Sequence, residues 1–346
     1  MQPIHYTLLL AGLLSTTAFA QNDDETPYQT RNFTGSLNAV RVTTSGGSIT
    51  VEGGQSSGVR VDMYVRGNNW PQNKLSKAEI DERLKEYDIE VKTEGSTVVA
   101  TAKRKRENGD NWDWKRSLNI SFKVAAPRNF RTDLKTSGGS IHISKLTGEQ
   151  DFATSGGSLH LNDVEGAIRG RTSGGSIHLD NCRKDIDLAT SGGSIEANTS
   201  SGTLNLRTSG GSVRLRELKG QVKASTSGGS INADGVDGEL VSSTSGGSIR
   251  LFNISGSLEA HTSGGSIEAD IKRVGKFLKL SASAGTVRVR MPLDQGLDLD
   301  VRGNKVSMPL SKFDGEVEKD RIRGSINGGG IPVNISASSG NVYVNQ

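Results

Sequence analysis

The sequence predicts an all-β fold, a parallel β-solenoid (β-helix) of 18-residue coils with two short strands in each, and three observations carry the prediction. Thr-Ser-Gly-Gly-Ser recurs eight times, beginning at Thr136, Thr154, Thr172, Thr190, Thr208, Thr226, Thr244 and Thr262, at a constant interval of eighteen residues. A period kept without insertions puts every copy at the same point of a stack, because one extra residue would turn a strand's side chains to the other face. Apolar residues also alternate in register with the repeat. With Thr as position one, position six reads Ile141, Leu159, Ile177, Ile195, Val213, Ile231, Ile249 and Ile267, and position eight reads Ile143, Leu161, Leu179, Ala197, Leu215, Ala233, Leu251 and Ala269. Positions fifteen and seventeen repeat the pattern with Ile168, Ile186, Leu204, Val222, Leu240 and Leu258, and with Phe152, Leu188, Leu206, Ala224 and Ala260; Gln150 is the exception. Period two is that of a strand, not a helix. Lastly, 44 glycines with only 33% hydrophobic and 5% aromatic residues are too lean for a thick-cored globule. They suffice where each coil buries its neighbours.

Identical strands one coil apart lie parallel at about 4.8 Å, so a run of about nine coils is on the order of 40 Å long. The Thr at position one faces inward and forms a ladder at its corner. Glycines at positions three and four are expected to supply φ > 0 and close stacking of neighbouring backbones, so that Gly138→Val disturbs a coil locally. Cys182 takes the inward corner position filled elsewhere by Leu146, Val164, Leu218, Val236 and Ile254. It reads as a small buried hydrophobe rather than a reactive thiol.

From the N-terminus, 7–14 is an apolar run followed by Ala18-Phe19-Ala20. This is the form of a signal peptide at 1–20 cleaved before Gln21, and the run is too short to span a bilayer. The absence of a Cys at the cleavage site argues against a lipid anchor, and no later segment is apolar enough for a membrane helix. Residues 21–32 are polar and read as a flexible lead-in, and 33–346 as one solenoid domain. Its first coil is 37–51, and 59–65 alternates again. A helix and hairpin excursion follows at 68–130. There Ser76-Lys-Ala-Glu79 has capping-box spacing, and Ile80, Leu84 and Tyr87 fall on one face of a helix of about 11 residues expected to cover an open end. Residues 89–92, 98–103 and 118–124 alternate as strands. Regular repeats occupy 136–270, and irregular coils with a C-terminal cap occupy 271–346, including the worn coil Ser283-Ala-Gly-Thr-Val287, a strand at 297–301 and an irregular insertion at 306–330. Atypical ends suit capping repeats.

The export signal, the Ser-Gly-Gly-Ser-Ile strands, the early helix and the ending Ile326-Asn-Gly-Gly-Gly-Ile-Pro-Val-Asn-Ile-Ser-Ala-Ser-Ser-Gly-Asn-Val342 together resemble a bacterial domain-of-unknown-function family labelled putative adhesin, from about Phe33 to the C-terminus. That family is similar to head domains of autotransporter-like adhesins. The resemblance implies a β-solenoid with surface or envelope placement and carries over no catalytic residues.

Two constellations are candidate sites. Position seven faces outward and stacks His142, His160 and His178, followed by Glu196. Imidazoles and a carboxylate in adjacent strands are a conceivable Zn²⁺ or Cu²⁺ ligand set. Three rings spread over about 10 Å cannot all reach one ion through bonds near 2 Å, so a solvated polar column is the stronger reading. The second is the tip at 103–116, where Arg104, Lys105, Arg106 and Lys115 surround Trp112 and Trp114. These could stack on sugars or hold an anionic polymer, although Glu107, Asp110 and Asp113 dilute the charge and the tryptophans of a hairpin turn can simply pack on the solenoid. Position sixteen alternates in sign through Asp151, Arg169, Asp187, Asn205 and Lys223, as a ladder avoiding like-charge contacts would. Calcium-binding β-rolls need an Asp in each turn, which this repeat lacks, and the inward Thr is ill placed for ordering ice.

A formal charge of +4, from 42 basic and 38 acidic residues, makes nucleic acid a poor partner. No cofactor is implied, and no convergent carboxylate pair or nucleophile with a base is visible. The sequence therefore reads as an exported, non-enzymatic interaction module, periplasmic, outer-surface or secreted, whose partner is a polysaccharide or an envelope or surface protein. The alternatives are a carbohydrate-active β-helix enzyme and a purely structural envelope spacer.

Overall fold

The computed structural model describes residues 26–68, 75–105 and 116–346. The signal peptide expected at 1–20 lies outside the described residues. Among those described, no helix is long and apolar enough to cross a membrane.

The chain forms a β-solenoid whose regular strands pair in parallel, residue n with residue n + 18, as in Leu159 with Ile177 and Ile186 with Leu204. The inward columns are those that alternation predicts: every residue at position six of the eight repeats is at most 1% exposed. Position eleven adds a third inward corner with Leu146, Val164, Cys182, Ser200, Leu218, Val236 and Ile254, all buried. Packing is fitted locally. Gly170 occurs where position seventeen usually holds Leu or Ala, and a Cβ there would lie 2.1 Å from the Phe152 ring one coil below. The buried Gln150 accepts a hydrogen bond from the Thr132 hydroxyl (2.7 Å) and donates one to the Phe130 carbonyl (2.9 Å). One apolar position is thereby replaced by a satisfied polar one.

Three features differ from the sequence reading. In several coils the two short strands run together across position eleven into one bent strand of 14 residues, as in Leu159–Thr172, Val213–Thr226, Ile231–Thr244 and Ile249–Thr262. The positive φ that bends them lies at position ten, for example Asp163 (54°), Glu217 (52°) and Asn253 (55°), and at the position-thirteen glycines such as Gly166 (139°) and Gly238 (137°). It does not lie at the Gly-Gly pair. The pair also divides its role. A Cβ on Gly139 would sit 2.1 Å from the Gly47 carbonyl oxygen, whereas one on Gly138 would sit an ordinary 3.4 Å from that of Gly46. Close stacking therefore demands glycine at position four, and Gly138 is not the crowded member.

Each Thr of the repeat turns inward and donates its hydroxyl to the position-four carbonyl of the preceding coil, as Thr208 does to Gly193 and Thr226 to Gly211, at 2.7 and 2.8 Å. The same oxygen accepts from the position-four N–H of its own coil, for instance from Gly211 at 3.3 Å. This satisfies backbone groups at a corner where the strand ladder is interrupted.

Both ends depart from chain order. The strand Ala39–Thr44 lies between Thr97–Arg104 and Arg131–Thr136, and Ile49–Gly53 lies between Leu118–Ala126 and Ile141–Thr147. The strands Thr97–Arg104 and Leu118–Ala126 are thus a solenoid coil placed outside the first one. Beyond it, Val59–Gly67 and Tyr87–Glu94 pair antiparallel on its two strands, and Gln29–Phe33 pairs antiparallel on Val59–Gly67. The expected lead-in at 21–32 therefore ends in an edge strand. The C-terminus repeats the device: Ile331–Ala337 inserts between 278–282 and Leu297–Arg302, and Val342–Asn345 between Val287–Arg290 and Val306–Ser307. The hairpin of Phe313–Val317 and Arg321–Ile326 closes that end antiparallel. Antiparallel end strands stop the parallel ladder from offering its own template to another chain.

The helix is shorter than expected, Lys77–Leu84, with the predicted capping box at Ser76 and Glu79. Tyr87 is not on its face. It opens a strand, is buried, and its hydroxyl accepts from the Leu118 N–H at 2.8 Å. No helical residue is buried, so the antiparallel strands, rather than the helix, close this end.

Candidate functional site

Outward side chains of the sheet face at the N-terminal end line a groove of about 1050 Å³. Its far wall is the antiparallel strand Val59–Gly67, which contributes Arg60, Asp62, Tyr64 and Arg66. Its floor is built by strict alternation. Lys123, Thr50, His142, His160 and His178 follow one another on neighbouring strands, because each pairs in register with the next.

The imidazoles stack face to face. The His142 and His160 ring centroids are 4.6 Å apart at 3° between planes, and those of His160 and His178 are 5.1 Å apart at 9°. The spacing is that of parallel strands, so the backbone ladder sets the stack. Burial pushes the pKa of His142 below the ordinary imidazole value. His160, between two others, is pushed to about 4, first by burial and then by the neighbouring charges of His142 and His178. At neutral pH these two rings are uncharged, and neutral rings stack without repulsion.

The rings as they stand do not converge on a point where His142, His160, His178 and Glu196 could share one ion. Parallel rings aim their nitrogen lone pairs side by side instead of at one point, whereas tetrahedral ligation at about 2.0–2.1 Å needs convergence. Among the described residues no group of three or more His, Cys, Asp or Glu is placed to hold an ion. Glu196 is held by Arg216 at 2.9 Å, with His178 Nδ1 3.7 Å away.

The carboxylates of the groove are engaged. Glu52 pairs with Lys145 at 2.9 Å, Asp62 pairs with Arg60 at 2.9 Å and accepts from the Thr30 hydroxyl at 2.6 Å, and Asp180 accepts from the Asn162 amide at 3.3 Å. Lys123 is exposed and makes no ion pair among the described residues. The groove thus offers a row of hydrogen-bonding ring edges, hydroxyls and amides on a rigid sheet, with one cation left for a ligand.

Of the tip, Arg104 and Lys105 are described. Arg104 reaches Glu86 at 3.3 Å, and Lys105 donates to the Lys85 carbonyl at 3.0 Å and lies 3.8 Å from Asp88. Both are tied to the adjoining chain. Arg106, Trp112, Trp114 and Lys115 lie outside the described residues. Cys182 is fully buried, its thiol pushed up to about 11 by desolvation, which fits the small-hydrophobe reading and removes the reactive-thiol one. Sequence reasoning missed Arg60, Asp62, Tyr64 and Lys123. Alternation at 59–65 was the available signal, but it does not say on which neighbour that strand docks.

A crystal structure of a putative cell adhesion protein from Clostridium sporogenes is 10% identical to this chain, covering 93% of it and 100% of that protein, with a TM-score of 0.19. A superposition this loose carries no argument. No curated protein matches the chain. The Toastrack DUF4097 family model matches residues 79–345, from within the helix through the last strand, and the protein belongs to that family.

Proposed function

We propose that the protein is an exported, non-enzymatic interaction module of the cell envelope or surface, which holds a polysaccharide or an envelope or surface protein along the polar groove. One observation carries the reading: a long groove presents regularly spaced hydrogen-bonding groups on an inextensible sheet while its carboxylates are already paired with cations or amides. Such a surface is preorganised for an extended ligand and loses little entropy on binding. A glycan hydrolase or lyase would need a free acid and base at the scissile bond. Glu52 and Asp62, tied to Lys145 and Arg60, are poor candidates for either role.

The test passes the purified protein over immobilised glycans, polysaccharides and envelope fractions, scoring retention and released product together. Retention without product, lost on Tyr64→Ala or Lys123→Ala, is the expected result. Product release would replace the reading with a carbohydrate-active enzyme, and no retention anywhere would leave a structural spacer. Retention lost on changing Trp112 and Trp114 to Ala, with the groove variants unaffected, would move the site to the tip. Fractionation of cells carrying the full-length chain, with N-terminal sequencing expected to begin at Gln21, tests export.

A further inference from the structure

The histidine stack is not needed for the fold. It stands on the outward face, and the same column continues into Glu196, Arg214, Asn232 and Arg250 without altering the coil. Its distinctive property is chemical. Three imidazoles are aligned at strand spacing inside a groove lined by the cations Arg60, Arg66, Lys123 and Lys145 against the carboxylates Glu52, Asp62 and Asp180.

With the rings neutral, that lining carries a single excess positive charge; with all three protonated it carries four. The charge of the lining therefore follows the protonation of the stack. The stack opposes its own protonation, since each imidazolium would lie about one strand spacing from the next. A row of anions laid along the ring edges removes that opposition, so ligand binding and proton uptake reinforce each other by linkage.

We propose that the groove is an acid-strengthened binding site for a linear acidic polysaccharide of the uronate class, whose carboxylates lie along the His142–His160–His178 stack and whose hydroxyls bond the ring edges and the flanking Thr50 and Asn162. This rests on the reading of the protein as an interaction module and specifies its ligand. A polyuronate fits for three reasons. Its charges repeat along an extended chain as the rings do along the sheet. Its ordinary carboxylates stay ionised at pH 5, where an anion laid on a stacked imidazole favours its protonated form. It supplies hydroxyls for a lining rich in Ser, Thr and Asn. Single-stranded nucleic acid fits less well, because base recognition without sequence preference uses aromatic platforms, and besides the imidazoles this lining has only the half-buried Tyr64 and the buried Phe122 as aromatic rings. The other charged groups that face the stack are Glu196, held by Arg216 beyond His178, and Asp180 and Lys145 beside the rings.

The experiment is calorimetric titration of the purified protein with polygalacturonate at pH 7 and pH 5 and constant ionic strength, in two buffers of different ionisation heat. Binding about tenfold tighter at pH 5 than at pH 7 is expected, the effect of bound anions raising the His160 pKa by about two units from about 4, with proton uptake visible in the buffer dependence. His160→Gln combined with His142→Gln should bring that ratio to within about twofold, while Arg250→Gln, on the same column outside the groove, should leave it unchanged. Denaturation midpoints of the variants at pH 7 show that each is folded. Binding that ignores pH, or an acid enhancement that survives loss of both histidines, would overturn the inference, as would tighter, His-dependent retention of single-stranded DNA. If neutral glycans or envelope proteins bind and polygalacturonate does not, the inference fails and the interaction-module reading stands. If nothing in the wider panel is retained at either pH, both fail.

Discussion

Replacing one glycine of the repeated pair by alanine should be harmless at position three and severe at position four. Gly210 and Gly211 are adjacent in the middle of the stack, and neither has positive φ. A Cβ on Gly210 would meet the Gly192 carbonyl oxygen at 3.4 Å and that of Ser191 at 3.5 Å, which are ordinary contacts. A Cβ on Gly211 would lie 2.1 Å from the Gly193 oxygen and 2.4 Å from its carbon. All of these are backbone atoms, so no side chain can swing aside. Restoring a normal contact requires separating the two coils locally by about 1 Å or more. Four hydrogen bonds cross that gap: Thr208 hydroxyl to Gly193 O (2.7 Å), Gly210 N to Ser191 O (2.8 Å), Ile195 N to Ser212 O (3.0 Å) and Ser212 N to the Ser194 hydroxyl (3.2 Å). Stretched by that amount they pass out of hydrogen-bonding range. At about 0.5–1.5 kcal/mol net each, their loss destabilises by about 2–6 kcal/mol.

For Gly210→Ala the reduced entropy of the unfolded chain contributes about 0.4–1 kcal/mol in the opposite direction, so this variant should match or slightly exceed the parent. Urea denaturation followed by far-ultraviolet circular dichroism compares the two proteins. If Gly211→Ala lies within about 1 kcal/mol of Gly210→Ala, coil stacking is not what demands the glycine and the reasoning fails.

Gln150→Leu restores an apolar column yet should destabilise by about 1–3 kcal/mol, because it strands the Thr132 hydroxyl and the Phe130 carbonyl; Thr132→Val added to it should recover part of the loss in the same denaturation assay. Cys182 should not react with Ellman's reagent in the native protein and should react fully in denaturant, its burial and raised pKa both opposing thiolate formation. His142 and His160 have lowered pKa values when folded, so the unfolded chain binds more protons below the ordinary imidazole value. Stability should therefore fall from about pH 6.5 toward pH 4.5, ahead of the loss of carboxylate pairs, and His160→Asn should flatten that slope in urea midpoints taken across the range. Ser76→Ala should speed hydrogen exchange in 77–84 while leaving the global midpoint unchanged, since the helix buries no residue in the core.

The regular coils were legible because their information is local and periodic. Which side chain points inward follows from counting, and Ile177, Leu179, Ile186 and Leu188 are buried as counting requires. The position of the left-handed corner was not legible in the same way. Lys145, Asp163, Glu217 and Asn253 share positive φ at position ten without sharing a residue type, whereas the constant Gly-Gly pair drew attention to itself for a different reason, the approach of one backbone to the next. A constant glycine signals either a backbone angle or a missing side chain. Here the pair at positions three and four signals close approach at one member, and the glycine at position thirteen signals both, since Gly166 has positive φ and a Cβ on it would lie 2.0 Å from the Gly148 oxygen.

Chain order at the ends lay further from reach. The strand Ala39–Thr44 pairs with Thr97–Arg104 on one side and with Arg131–Thr136 on the other, both parallel, and nothing in its alternating pattern distinguishes a neighbour 58 residues away from one 92 away. Alternation is also the same for a strand that will dock antiparallel, as Val59–Gly67 does. The candidate groove lies where these two regimes meet. Its imidazoles belong to the periodic part, so their alignment could be read from an eighteen-residue count, while Arg60, Asp62, Tyr64 and Arg66 belong to the end strand and enter the site only through a long-range pairing. The count gave the column but not the ring orientation, which sets the three rings face to face instead of converging on one point. The periodic part could not have made this groove by itself: the same column farther along the solenoid, at Asn232 and Arg250, lacks the wall that the returning strand supplies, and neither residue lines the cavity.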